Sequence, residues 1–222
     1  MEASARQSVD PAFATTLAHG LGILEAFHNS TGALSNSEIA QRTGLSRPTV
    51  SRLAYTLEEL GYLRRDETGR YLPGVGILAI AYPLLAGLKV RQLARPLMRD
   101  YATYAGGTVS IATTYGLDFL YLQTLRMTDI APHVPEIGFR SSLALTAVGR
   151  ALLSLYTDDE LKSYVTAMET QRPDEWRKTG DATLAAIESC RARGFSVSPG
   201  ERKPEIYRVA APLSRPASGP PP

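Results

Sequence analysis

The chain has 222 residues, 24 basic against 22 acidic side chains for a net charge of +2, and 44% hydrophobic residues. That length holds one or two domains of ordinary globular composition, and it excludes a disordered or fibrous chain. No stretch nears the roughly 18 consecutive apolar residues of a membrane span, Met1 to Pro11 lacks the apolar core of a secretory signal, and the single cysteine, Cys190, excludes an intrachain disulfide. A cytoplasmic address is the default expectation. Leu17, Leu21, Leu24 and Phe27 recur at helical spacing over Thr15–Phe27, after a polar lead-in over residues 1–14. Ser35-Asn36-Ser37-Glu38 is a capping box that opens a short helix ending at Gly44. Ser46 reads as the N-cap of a third helix, with Pro48 in its first turn, running to about Leu60. Tyr62–Arg65, a turn tetrad at Asp66–Gly69, and Arg70–Leu72 read as a β-hairpin.

Gly76–Leu88 is apolar almost all round, with Pro83 inside it, and a helix of that kind buries against a partner. An amphipathic helix follows over Lys89–Tyr104, with Leu93, Leu97 and Tyr101 on one side. Strands are expected near 108–115 and 118–125, a loop through Pro132 and Pro135, helices near 146–155, 158–168 and 182–193, and strands near 195–198 and 206–212. Strands joined at Gly116 form an antiparallel hairpin, so the fold class is α+β: an N-terminal winged helix-turn-helix, a linker helix, and a C-terminal α+β domain with an antiparallel sheet. The boundaries read as a tail at 1–14, the winged unit at 15–73, the linker helix at 74–88 and the second domain at 89–222.

Twenty of the 24 basic residues are Arg, but high-GC codon usage gives the same excess, so position has to decide their meaning. Two helices flanking Gly44-Leu45-Ser46 make a helix-turn-helix, whose second helix enters the DNA major groove. With about 100° per residue, Val50, Leu53, Leu57 and Leu60 share one face, while Pro48, Ser51, Arg52, Tyr55 and Glu59 share the other. Arg47 and Thr49 are exposed at the N-terminal end. Arg47 and Arg52 suit guanine edges or phosphates, Thr49 and Ser51 suit phosphate oxygens, and the helix start at Ser46 favours a phosphate. Arg64, Arg65 and Arg70 place cations on the hairpin, where each neutralises backbone charge and reads little sequence. Six Arg against Glu58, Glu59, Asp66 and Glu67 over residues 42–70 leave a small excess that segregates in space. The competing reading is a protein-interaction or structural domain with solvated arginines.

Leu34–Ala40, Thr43–Leu53, Leu57–Leu63, Gly69–Leu72, Leu93–Leu97, Leu145–Ala151 and Val209–Leu213 together resemble the IclR family of bacterial transcriptional regulators, in order over roughly residues 15–213. The resemblance implies a DNA-binding regulator, a repressor rather than an activator, controlled by a small-molecule effector such as an organic acid or aromatic metabolite. It implies no catalysis, no cofactor and no membrane partner, a double-stranded DNA operator, and self-association into a dimer or tetramer, with the apolar 76–88 helix joining the two domains. By position the effector pocket would be lined by Thr146, Ala147, Val148, Ser198, Ile206 and Arg208. Many members carry an acid where Ser198 stands, a Cys where Arg208 stands and a His-like residue at Ala144. Facing the pocket, Arg208 would favour a carboxylate through a bidentate pair; facing solvent, it says nothing. Members continue beyond the Val209–Leu213 strand with a further strand and helix, so the resemblance implies an effector domain cut short.

The alternative class is a small-molecule enzyme or sensor built on the second domain, with the first used for dimerisation. Gly74-Val75-Gly76-Ile77-Leu78-Ala79 matches a dinucleotide fingerprint but follows an Arg-bearing hairpin arm rather than a buried parallel strand. His19, His28 and His133 lack ligand spacing, so no metal site is expected, and no nucleophile elbow is present.

Overall fold

A computed structural model describes residues 11–28, 30, 32–126, 137–199 and 207–213. The described residues up to Leu93 form one compact unit and those from Ala94 another. Ile206, His133, the loop prolines 132 and 135, and most of the 1–14 lead-in lie outside the described residues. Among the described residues no single helix is long and apolar enough to cross a membrane.

The first unit contains α1 (Thr15–Glu25), α2 (Asn36–Thr43), α3 (Arg47–Glu59), β1 (Leu63–Arg65), β2 (Tyr71–Pro73) and α4 (Gly76–Gly87). The Ser35 hydroxyl oxygen accepts from the Glu38 amide, and the Glu38 carboxylate accepts from the Ser35 amide at 2.8 Å, so the capping box is complete. Gly44 ends α2 at φ +70°, a left-handed conformation that a Cβ disfavours. Three residues later α3 starts, its N-cap Ser46 accepting from the Thr49 amide at 3.4 Å. Ile23, Phe27, Leu34, Ile39, Val50, Ala54, Leu63 and Tyr71 close the core, with Leu53 and Leu57 packed on it. Leu60, expected on the buried face, is the C-cap of α3 and is exposed; Ala54 supplies the contact one turn after Val50 instead. The hairpin pairs β1 with β2 antiparallel, and Leu34 and Tyr71 exchange backbone hydrogen bonds at 2.8 Å, tying it beneath α2.

Helix α4 runs through Pro83 and buries none of its residues; Leu78, Ile80, Tyr82 and Leu84 are all exposed. The Gly74/Gly76 pair has a packing role. A Cβ on Gly74 would sit 2.2 Å from the Gly61 carbonyl oxygen and one on Gly76 2.8 Å, so the chain leaving the hairpin crosses directly over the turn after α3.

The division between units falls within α5 (Lys89–Ala105). The second unit continues with β3 (Thr108–Tyr115), β4 (Asp118–Arg126), β5 (Arg140–Ser142), a 3-10 turn at Leu143–Leu145, α6 (Ala147–Leu153), α7 (Asp158–Gln171), α8 (Pro173–Arg193), β6 (Ser196–Pro199) and β7 (Tyr207–Ala210). Strands β3-β4-β5 form one antiparallel sheet, with a register shift between Ile111 and Ala112; β6 and β7 form an antiparallel pair. This is the expected α+β class with antiparallel sheets. Phe119, Tyr121, Leu143, Ala144, Leu153, Tyr164, Met168 and Ile187 make the core.

Three local differences have physical causes. Helix α8 begins at Pro173 rather than near 182, because Pro173 occupies its first turn and Gly180 lies against the Trp176 ring, so residues that read as breakers sit inside a helix. Strand β5 carries Arg-Ser-Ser, with no apolar alternation to reveal it. On α5 the side carrying Leu93, Leu97 and Tyr101 is exposed, and Met98 and Ala102 are the buried positions.

Candidate nucleic-acid interface and effector cavity

The α3 surface opposite Val50 and Ala54 carries Pro48, Ser51, Arg52, Tyr55 and Glu59, all exposed; at the N-terminal end of the helix Arg47 is exposed and Thr49 half-buried. Ser46, also exposed, closes a pair with Thr49, their hydroxyl oxygens 2.8 Å apart. The six arginines of residues 42–70 fall into two sets of three. Arg42 donates to the Ala26 carbonyl at 2.7 Å. Arg65 donates to the Glu58 carboxylate at 3.0 Å and the Tyr71 hydroxyl at 2.6 Å, its guanidinium 4.6 Å from the centre of the Tyr71 ring. Arg70 donates to both oxygens of Glu38, at 3.0 and 2.8 Å. In contrast, Arg47, Arg52 and Arg64 are exposed, and their side chains make no ion pair or hydrogen bond among the described residues.

The electrostatics follow this division. Hydrogen bonds from the Ser35 hydroxyl and amide, and the nearby Arg70, hold the Glu38 carboxyl below its ordinary value. The Thr68 hydroxyl and the Arg70 and Thr68 amides do the same for Asp66, whose side chain organises the hairpin tip. The Glu58 carboxylate beside Arg65 raises that guanidinium further, and burial pushes the Tyr71 phenol up. The acids at 38 and 58 are thus matched by hairpin arginines, while Arg47, Arg52 and Arg64 are exposed with no side-chain partner among the described residues. A helix N-terminus beside Arg47 and exposed guanidinium groups without a side-chain partner suit a polyphosphate backbone.

In the second unit, α5 from Ala94 onward, β3, α6, α7 and β7 enclose an open cleft of about 1750 Å³. Val148 and Arg208 are on its wall. Thr146, Ala147 and Ser198 are buried and do not reach it; Thr146 is the N-cap of α6, its hydroxyl accepting from the Gly149 amide at 3.2 Å. Two wall groups are buried without a hydrogen-bond partner among the described residues: Nη1 of Arg208 and the hydroxyl of Tyr164. Burial, reinforced by the negative charge of Glu175, pushes the Tyr164 phenol up, so it remains a neutral donor. Tyr164 was not a sequence candidate. A tyrosine on the core face of a helix carries no signal beyond burial.

Next to the core, Asp118 is held by Arg172 at 2.7 and 3.0 Å and by Arg140 at 3.5 Å, and the Ser142 hydroxyl donates to Glu175. These contacts join β4, β5 and the start of α8. Among the described residues no cluster of His, Cys, Asp or Glu has the makings of a metal site.

Comparison with known proteins agrees across both units. Residues 16–67 match the IclR helix-turn-helix domain, and residues 83–216 match the bacterial transcriptional regulator IclR C-terminal domain. A crystal structure of an IclR family transcriptional regulator from Brucella abortus is 36% identical with a TM-score of 0.81, covering 95% of this chain and 80% of that one. The Pca regulon regulatory protein of Pseudomonas putida is 29% identical over 207 residues, 92% of this chain and 70% of the relative. An IclR homologue from Microbacterium hydrocarbonoxydans, complexed with 4-hydroxybenzoate, shares the fold at 19% identity, with a TM-score of 0.69 and coverage of 90% of this chain and 83% of that one. The chain belongs to the IclR family of transcriptional regulators, which bind DNA through a helix-turn-helix and are regulators rather than enzymes.

Proposed function

We propose that the chain is an effector-controlled repressor whose α3 lies in the major groove of an operator. In this reading residues 15–73 are the DNA-binding domain, 74–88 the linker helix and 89–222 the effector-binding domain. The observation that carries it is the set of exposed cations on α3 and the hairpin, Arg47, Arg52 and Arg64, whose side chains have no partner among the described residues. Ser46, Pro48, Thr49, Ser51 and Tyr55 complete the contact surface.

The effector proposed is a small carboxylate, aromatic in preference. Arg208 offers a buried guanidinium nitrogen to it, and the Tyr164 hydroxyl offers a second polar contact. The 4-hydroxybenzoate bound by the Microbacterium hydrocarbonoxydans homologue carries a carboxylate and a phenolic hydroxyl on one aromatic ring. Val148 supplies apolar wall, and Thr146 holds the start of α6 in place. Binding of DNA from the region flanking its own gene, followed by fluorescence anisotropy while 4-hydroxybenzoate is titrated, tests the reading. Tight, salt-sensitive binding released by the carboxylate supports it. Binding unaffected by any aromatic or aliphatic carboxylate removes the effector assignment, and absence of DNA binding removes the whole.

A further inference from the structure

The hairpin carries three arginines, and the geometry treats them differently. Arg64 and Arg65 are consecutive on β1 and therefore project to opposite faces of the hairpin. Arg65 turns to α3, where Glu58 and the Tyr71 hydroxyl take its donors. Arg70, leaving the tip, turns to α2 and meets Glu38, whose carboxylate is already fixed by Ser35. Arg64 has no such partner among the described residues. The strands are only three residues long, too short to hold an orientation by their own ladder, and only Leu63 and Tyr71 are buried. The tip at Asp66–Gly69 projects beyond these anchors.

We propose that Arg70 and Arg65 are positioning residues that clamp the hairpin to α2 and α3 through Glu38 and Glu58, and that Arg64 is the hairpin residue that contacts the DNA backbone. The proposal rests on the DNA-binding reading above. For Arg70 to reach a phosphate it would have to leave both Glu38 oxygens and strand a carboxylate beside a polyanion. Held in the pair, it contributes little net charge but sets the pitch of the hairpin, and so the place of Arg64.

The test uses the whole chain and a mixed-sequence DNA duplex, with affinity measured as a function of salt and folding checked by circular dichroism. Arg64→Ala should flatten the slope of log affinity against log salt by about 0.9, the loss of one phosphate contact. Glu38→Gln is the decisive variant. Glutamine serves in the capping box, so α2 keeps its start, while the ion pair is lost. Deleting an acid alone strengthens binding to a polyanion, yet clamping predicts weaker binding, with a flattening close to that of Arg64→Ala although Arg70 is still present. Arg70→Ala should do the same, the Glu38→Gln/Arg70→Ala double variant no more than either, and Glu58→Gln should repeat the effect from the other side. Tighter or unchanged binding by Glu38→Gln, with a full unit of slope lost in Arg70→Ala, overturns the proposal and makes Arg70 a direct contact. If Arg47→Ala and Arg64→Ala both leave binding unchanged, the DNA-contact assignment itself falls.

Discussion

Arg47 and Arg52 are both exposed on α3 but differ in what their loss should do. Arg47 opens α3 beside the Ser46–Thr49 hydroxyl pair, at the end where helix amides gather phosphate, so Arg47→Ala should weaken binding evenly across sequences and flatten the salt slope by about 0.9. Arg52 lies more than a turn further along, next to Ser51 and Tyr55, and in the proposed DNA-bound arrangement it would meet a base edge. Arg52→Ala should cost about 1–3 kcal/mol on the operator and relax the preference at one base pair, as competition between operator and mixed-sequence DNA would show. At Gly149, in α6, the reason for the residue is steric. A Cβ there would lie 2.1 Å from the Leu143 carbonyl oxygen, a backbone atom that cannot yield, so Gly149→Ala should destabilise the second unit by about 3 kcal/mol in urea unfolding. The exposed α3 residues were readable from periodicity because a helix wheel needs only spacing. The pairing of Arg65 and Arg70 was not, since Glu38 is 32 residues from Arg70 and only the tertiary fold brings them together.

At the scale of elements, sequence predicted best where a local rule decides the structure. The capping box at Ser35 and Glu38, the glycine C-cap and the Ser46 N-cap place α2 and α3 without reference to anything distant. It predicted least where a residue serves a remote neighbour: Gly180 under Trp176, Gly74 against Gly61, and β5, which is a strand only because β4 lies beside it. The caps also set an acid response. Glu38 and Asp66 are both held below their ordinary values of 4.5 and 3.8 in the folded winged unit. A carboxylate with a depressed folded value contributes stability that is fully present above the unfolded value and is lost as pH falls through the folded one. The melting temperature of the winged unit should therefore hold from neutrality down to about pH 5 and fall below that. Ser35→Ala should melt lower than the parent at neutral pH, and the gap should narrow below pH 4.5 as Glu38 protonates in both. A gap independent of pH would show that Ser35 acts on the helix amides alone.

For the whole molecule the net charge of +2 proved uninformative, because placement of six arginines, three of them committed to internal partners, decides the surface. The apolar composition was more telling. Helix α4 has twelve residues, none buried, and it exposes Leu78, Ile80, Tyr82 and Leu84. Each large apolar side chain moved from water to an interface contributes about 1.5–3 kcal/mol when fully buried, and we propose that a second copy of the chain covers this helix. A two-fold dimer would present two recognition helices to half-sites about one helical turn apart. Replacing Leu78 and Leu84 together by Glu should then leave the melting temperature of the dilute chain nearly unchanged, because neither residue contributes to the core. The same pair of changes should convert a dimer to a monomer in analytical ultracentrifugation. On a palindromic operator, affinity should fall by about a hundredfold or more as the second half-site becomes an independent event, whereas binding to a single half-site should hardly change. A loss of equal size on both DNAs would instead trace the effect to the recognition surface, and a dimer that survives the substitutions would move the interface away from α4.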